Sequence, residues 1–302
     1  MQIAITGGSG FLGKRLISSL EAASHTVRML GRSRPAWLAP QHAFFAWDAM
    51  AGAAPSAAID GVQAVIHLAG EPVAQRWTAA AKDRMWRSRV EGTNNLLKAI
   101  EASATRPPLL ISASAVGYYG FRGEELLVED SAAGTGFLPE LSVAWEKASQ
   151  AATRLGVRVV NPRIGIVLGV EGGALQQMLP PFRMGVGGRI GDGRQWMSWI
   201  HVDDMIGLLL FYLAQPDSSG PVNATAPKPV RNSEFTEALG RVLHRPAILP
   251  VPGFALRILF GEMAAVILGS QRVEPARALR DGYRFLYPEL AGALENLLAT
   301  RS

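Results

Sequence analysis

The 302-residue sequence contains no cysteine. Disulfides and thiolate metal sites are therefore excluded, and a reducing compartment, the cytoplasm, is the expectation. Long hydrophobic runs are also lacking. The most apolar late stretch, Phe254 to Gly269, is interrupted by Arg257 and Glu262 and is too short to cross a bilayer. It reads as a core or interface helix, and no membrane partner is expected. An apolar run, Gln2 to Ile5, opens the chain at once, so no signal peptide is expected. The net charge is +5, but the basic residues are scattered. No zinc finger or aromatic-plus-basic RNA motif accompanies them, which argues against a nucleic-acid partner. No His/Asp/Glu spacing suggests a metal. Repeats and low-complexity tracts are absent as well. With 48% hydrophobic and 18% charged residues, the chain is globular and long enough for two lobes.

What is present begins at residues 6–13, TGGSGFLG. The run before it is strand-like. The run after it places Leu16, Ile17 and Leu20 at helical spacing. A glycine-rich loop between a strand and a helix is a dinucleotide cradle. Gly7 permits the tight turn, Gly10 lets backbone approach a diphosphate, and Gly13 lets the helix pack closely on the sheet. Phe11 and Leu12 lie in the same loop, at a helix N-terminus whose free N–H groups and dipole suit phosphate. The second strand ends in VRMLGRSR, residues 27–34, with no Asp or Glu to take a ribose 2′-hydroxyl. Arg32 and Ser33 suit a 2′-phosphate instead, so the expected cofactor is NADP(H). Asp48, after the third strand, is open between accepting from the adenine amino group and forming a turn. Leu68, Ala69 and Gly70 end the fourth strand, and small residues there let the cofactor pass.

Strands are expected at Ile3–Ile5, Thr26–Leu30, Phe44–Ala46, Val65–Leu68, Leu109–Ser112 and Val157–Val160. Helices are expected at Lys14–Ala23, Trp77–Ala102 and Leu141–Leu155. Such alternation predicts an α/β fold, a Rossmann-type doubly wound parallel sheet. Helices at Ser233–Leu243 and Phe254–Leu268 predict a smaller C-terminal α/β lobe. The expected division is a cofactor domain at 1–168, to which 197–225 returns, and a substrate lobe made of 169–196 and 226–302.

These motifs resemble the extended short-chain dehydrogenase/reductases along most of the chain. The likeness lies in TGGSGFLG, HLAG (67–70), VEGTNNLL (90–97), ISASAVGYYG (111–120), PRIGIVLG (162–169) and WIHVDD (199–204). More narrowly, GEPVAQRWT (70–78), AWEKA (144–148) and GRQWMSWIHVDD (193–204) are similar to the nucleoside-diphosphate-sugar epimerase-like subfamily, some of whose members are labelled cell-division inhibitors. That resemblance implies NADP(H) and an oxidoreductase-type site facing a C-terminal substrate lobe. It also implies a small-molecule substrate and, as in many relatives, a homodimer.

The resemblance places Ser114 where a substrate oxygen is polarised. It also leads to the search for a Tyr-x-x-x-Lys pair, which is missing. One register puts Val143 and Lys147 at those positions, and another puts Leu138 and Ser142 there. Tyr118 and Tyr119 are then the candidate proton-transfer groups, with aromatic packing as the alternative. Glu71 is a candidate substrate group or base. Arg89 stands where the family often has Asn before V-x-G-T, and reads as a phosphate or substrate contact or as a solvated helix residue. Arg183, Arg189 and Arg194 can grip a diphosphate, and Gln195, Trp196 and Trp199 can pack on a ring, or all can belong to a surface loop with core tryptophans. His201, Asp203 and Asp204 read as structural. Two functions stay open: an NADP(H)-dependent oxidoreductase or epimerase, and a non-catalytic NADP(H)-binding sensor.

Overall fold

The computed structural model describes residues 1–299. Seven strands alternate with helices: β1 (Gln2–Thr6), β2 (Thr26–Gly31), β3 (Ala43–Ala46), β4 (Ala64–His67), β5 (Leu109–Ser112), β6 (Arg158–Ile164) and β7 (Gly220–Ala224). They lie in the order β7-β6-β5-β4-β1-β2-β3, and every pairing is parallel. The short strand Ser114–Ala115 adds to β6 beyond the end of β5. The chain winds outward from β1 to β3, then returns to β4 and winds the other way. That reversal opens a crevice at the carboxyl ends of β1 and β4, where ligands bind in such sheets.

Residue alternation on β1 shows why the sheet is covered on both faces. Ile3 and Ile5 enter one core with Leu16 and Leu20 of α1 (Phe11–Ala22) and with Met205 and Leu209, while Ala4 enters another with Leu96 and Ile100. Each such Leu or Ile contributes about 1.5–3 kcal/mol through burial. Helices α2 (Ala79–Ala102) and α3 (Phe137–Gln150) cover the second face. Helix α2 starts two residues later than its apolar pattern suggests, because Thr78 caps it by accepting from the Ala81 N–H. In turn, α3 starts earlier than expected, at Phe137, after the N-cap Gly136, whose φ of +101° only glycine adopts readily.

A third core joins α4 (Gly173–Arg183) to later elements through Leu175, Leu179, Trp199, Phe235 and Leu290. Helix α5 (Val202–Ala214) ties the tail to the sheet domain. The buried Asp204 carboxylate accepts from the Tyr283 hydroxyl and from the Leu286 and Tyr287 N–H groups at 2.7–3.1 Å. Helix α6 (Asn232–Val242) falls within one residue of its expected place. The expected single helix Phe254–Leu268 is instead two, α7 (Gly253–Phe260) and α8 (Ala264–Leu268), since Gly261 adopts φ +60° and breaks the run.

Candidate functional site

The glycine loop is built by exclusion. Gly7 has φ +71°, and a Cβ there would lie 2.7 Å from the Ala69 nitrogen. A Cβ on Gly13 would lie 2.2 Å from the Gly7 oxygen, so this glycine packs α1 against its own loop rather than against the sheet. Gly10 is the N-cap of α1, and no side chain caps that helix. A Cβ at Gly10 would meet only the Gly7 oxygen, at 3.3 Å, so the space before the helix is clear. An uncapped helix start facing open space at the crevice fits a diphosphate.

Phe11 and Leu12 offer backbone only. The Phe11 ring is wedged onto the next loop, where a Cβ on Gly169 or Gly172 would come within 2.3 or 2.5 Å of it. Leu12 packs against the sheet core. Arg32 and Ser33 are exposed just beyond β2. Arg34 is held by the carbonyls of Leu38, Ala39 and His42, while Arg32 has no hydrogen-bond or ion-pair partner among the described residues. Asp48 is exposed and its Oδ1 supports a turn by accepting from the Met50 N–H at 3.0 Å, while its Oδ2 accepts no bond among the described residues.

Leu68 and Ala69 are anchored to Thr6, whose oxygens accept their N–H groups at 3.2 and 3.3 Å. Beneath them lies a group that sequence reasoning left unassigned. His67 is fully buried between the hydroxyls of Thr6 (2.6 Å) and Thr93 (3.1 Å). Burial, aided by the Arg89 charge, lowers its pKa to about 4, so the ring is neutral near pH 7. Its position in HLAG was the available signal.

Beyond β5 the site becomes a chain of side chains. Ser114 is 2% exposed and donates from Oγ to Glu146 Oε1 at 2.6 Å. Glu146 is gripped by Arg163 through two bonds of 2.8 and 2.9 Å. Arg163 also donates to the Tyr119 hydroxyl at 2.8 Å, and Tyr119 donates to Asn223 Oδ1 at 2.6 Å. The Arg163 guanidinium lies 3.5 Å from the centre of the Tyr118 ring. Burial pushes the Tyr119 pKa up to about 12 against the pull of Arg163. With its hydroxyl fully committed and its ring at 0% exposure, Tyr119 is a structural strut, which corrects its candidacy for proton transfer. Tyr118 is half-buried, and its hydroxyl has no partner among the described residues.

The register of α3 is also settled. A Cβ on Gly117 would touch Leu138 at 3.4 Å and Ser142 at 3.8 Å, whereas Val143 is 39% exposed and Lys147 faces solvent. Leu138, Ser142 and Glu146 therefore form the inward face, at one-turn spacing. No Tyr or Lys stands on it.

Glu71 follows Gly70 and is half-buried. Burial pushes its carboxyl up, but hydrogen bonds from Arg84 (3.2 Å) and Gln75 (3.3 Å) and the charges of Arg84 and Arg32 outweigh it. The carboxylate form is therefore favoured. Arg89 is pressed against Gly70 and donates to the Glu71 carbonyl at 2.9 Å, so it is no solvated helix residue. Arg194 is exposed, and the Asp192 side chain accepts from its backbone N–H at 3.0 Å. Gln195 and Trp199 are buried and bonded to the carbonyls of Ile190 and Lys228, so both are framework. His201 caps α5 by accepting from the Asp203 N–H at 3.0 Å, and Asp203 pairs with Arg15 of α1. Among the described residues, no cluster of three or more His, Asp or Glu is placed to hold a metal. No helix among them is long and apolar enough to cross a membrane.

Comparison with known proteins places this geometry among relatives. The profile of the NAD dependent epimerase/dehydratase family matches residues 3–224, and a domain of unknown function matches 251–297. The epimerase family protein YfhF of Bacillus subtilis is 40% identical, over 100% of this chain and 99% of its own. The chloroplastic epimerase family protein SDR39U1 homolog of Arabidopsis thaliana is also 40% identical, over 99% of this chain and 87% of its own. The structure of human epimerase family protein SDR39U1 (isoform 2) with NADPH superposes with a TM-score of 0.89, at 34% identity over 100% of both chains. A UDP-glucuronic acid 4-epimerase from Bacillus cereus, in complex with NAD, shares the fold alone, with a TM-score of 0.78 at 16% identity.

Proposed function

Since the chain belongs to the NAD dependent epimerase/dehydratase family, we propose that it is an NADP(H)-dependent oxidoreductase or epimerase-like enzyme. It acts on a carbonyl or carbinol carbon of a small substrate, of which nucleotide sugars are one class. The observation that carries this reading is the shared crevice: the open glycine cradle and Ser114 lie at the same carboxyl end of the sheet. The NADPH bound in the human relative supports the choice of cofactor. The free Arg32 beyond β2 supports it too, as a partner for a 2′-phosphate.

When bound, the cofactor supplies or accepts a hydride at its nicotinamide. The rest falls to this chain. Gly7, Gly10 and the first N–H groups of α1 hold the diphosphate, with Leu68, Ala69 and Gly70 alongside. Ser114 donates its hydrogen bond to Glu146, so its lone pairs remain to accept from a substrate hydroxyl. Tyr118, with an uncommitted hydroxyl, exchanges the proton with the substrate oxygen. Glu71 and Arg194 bind the substrate against the lobe formed by 169–196 and 226–302.

A second reading, a non-catalytic NADP(H) sensor, is favoured by the inward Leu138 and Ser142, which bring no Tyr or Lys to the site. Ser114→Ala separates the two. In the enzyme reading, NADPH turnover with a panel of carbonyl compounds falls at least about tenfold while the NADPH Kd stays within about twofold. No turnover by the wild-type protein with any of them favours the sensor.

A further inference from the structure

One charge in the crevice is left without a counterpart. Arg89 rises from the middle of α2 and fills the space in front of Gly70, with its Cζ 3.2 Å from where a Cβ would be. Its Nη1 donates to the Glu71 carbonyl at 2.9 Å and towards the Met85 carbonyl at 3.4 Å. Its other side lies over the Trp145 ring, 5.0 Å from the centre. Among the described residues, Nε and Nη2 have no acceptor, and no carboxylate stands within ion-pair distance. The nearest acid, Glu71, turns its carboxylate to Arg84 and Gln75. Burial lowers the Arg89 pKa to about 10. A half-buried cation without an anion carries a desolvation cost, and sites that keep one are often ligand sites.

Its position says where the ligand would lie. Gly70 is one residue from Ala69, which abuts Gly7 of the glycine loop. Trp145 is one residue from Glu146, which holds Ser114. The guanidinium therefore borders both the turn after the strand that meets the glycine loop and the helix that carries Glu146. Carbonyls and an aromatic face position it, and its remaining fork of N–H donors matches the spacing of two anionic oxygens.

We propose that Arg89 is the receptor for an oxyanion, a phosphate or carboxylate, of a ligand lying along the crevice. The inference rests on the crevice being the ligand site of the proposed function. The same chemistry has two sources: the cofactor's diphosphate, or an acidic group on the substrate.

The test uses the full chain and three titrations: NADPH, inorganic pyrophosphate alone, and pyrophosphate into the NADPH-saturated protein. The variants are Arg89→Gln, which keeps a donor for the Glu71 carbonyl but loses the charge, and Arg89→Lys, which keeps the charge. A melting curve for each verifies folding. The expected result is a loss of about tenfold or more in one titration for Arg89→Gln, at an unchanged melting temperature, with partial recovery in Arg89→Lys. The affected binding should also lose part of its salt dependence. A loss confined to NADPH assigns the anion to the cofactor. A loss confined to pyrophosphate on the NADPH complex assigns it to the substrate. If both folded variants bind everything within about twofold of wild type, Arg89 only staples the Gly70–Glu71 turn and the proposal falls. A wild-type protein that binds no NADPH would defeat the functional reading, while pyrophosphate alone would still report on Arg89.

Discussion

At one end of the crevice the glycine loop presents bare backbone, and at the other Ser114 presents a side chain already held by a second, a third and a fourth. The loop works because atoms are missing: Cβ groups at Gly7 and Gly13 would collide at 2.7 and 2.2 Å. The Ser114 end works because atoms are present and paired, from Ser114 through Glu146 and Arg163 to Tyr119 and Asn223. The first end stays open for a ligand whose charges it lacks. The second is closed upon itself, and among the described residues the lone pairs of Ser114 and the Tyr118 hydroxyl stay uncommitted there. The proposed function assigns binding to the first end and chemistry to the second, and mutations should separate them.

The largest effect is expected at the closed end. Arg163 is 3% exposed and Glu146 13%, so Arg163→Met strands a buried carboxylate. The expected destabilisation is about 3–5 kcal/mol, read from the urea midpoint. A loss under about 1 kcal/mol would mean that water reaches the network, and the contrast between the two ends would weaken.

The next effect lies beneath the loop and depends on pH. The folded pKa of His67, about 4, is below the unfolded value near 6.5. A depressed histidine pKa means that the unfolded chain binds the proton more tightly. Stability is therefore full above the unfolded pKa and is lost as pH falls from about 6.5 towards 4, by about 3 kcal/mol in all. In His67→Gln the unfolding free energy should fall less steeply over that window. An unchanged slope would assign the acid sensitivity to other groups.

The smallest effect is expected at the open end, where stability is not at stake. Arg32→Ala should leave the melting temperature unchanged. It should weaken NADPH binding by about 1.5–3 kcal/mol in calorimetry while hardly altering NADH binding. Equal losses for both cofactors would remove Arg32 as the 2′-phosphate partner and leave the cradle as the only cofactor-specific feature.

The ease with which each end can be read in the sequence follows the same division. The cradle was legible because its demands are local: a positive φ, a close approach and a helix start all occur within eight residues of one another. Some features have no local signature. Phe11 sits in the loop motif, yet its ring answers to Gly169 and Gly172, and no local pattern announces that contact. Helical periodicity also continues across Gly261, whose φ breaks the tail helix in two.

By itself the sequence determined the alternating strands and helices, the backbone cradle and the absence of an acid at the 2′-position. These rest on propensity, periodicity and the missing Cβ of glycine, which act between near neighbours. Only the tertiary structure decided which face of α3 looks inward, that Tyr119 is spent on Asn223, 104 residues away, and that Arg89 is half-buried with no acid in ion-pair reach. Those outcomes depend on which side chains the parallel crossovers bring together. Hydrogen bonds and buried charges are settled by distance in space, which sequence separation does not encode.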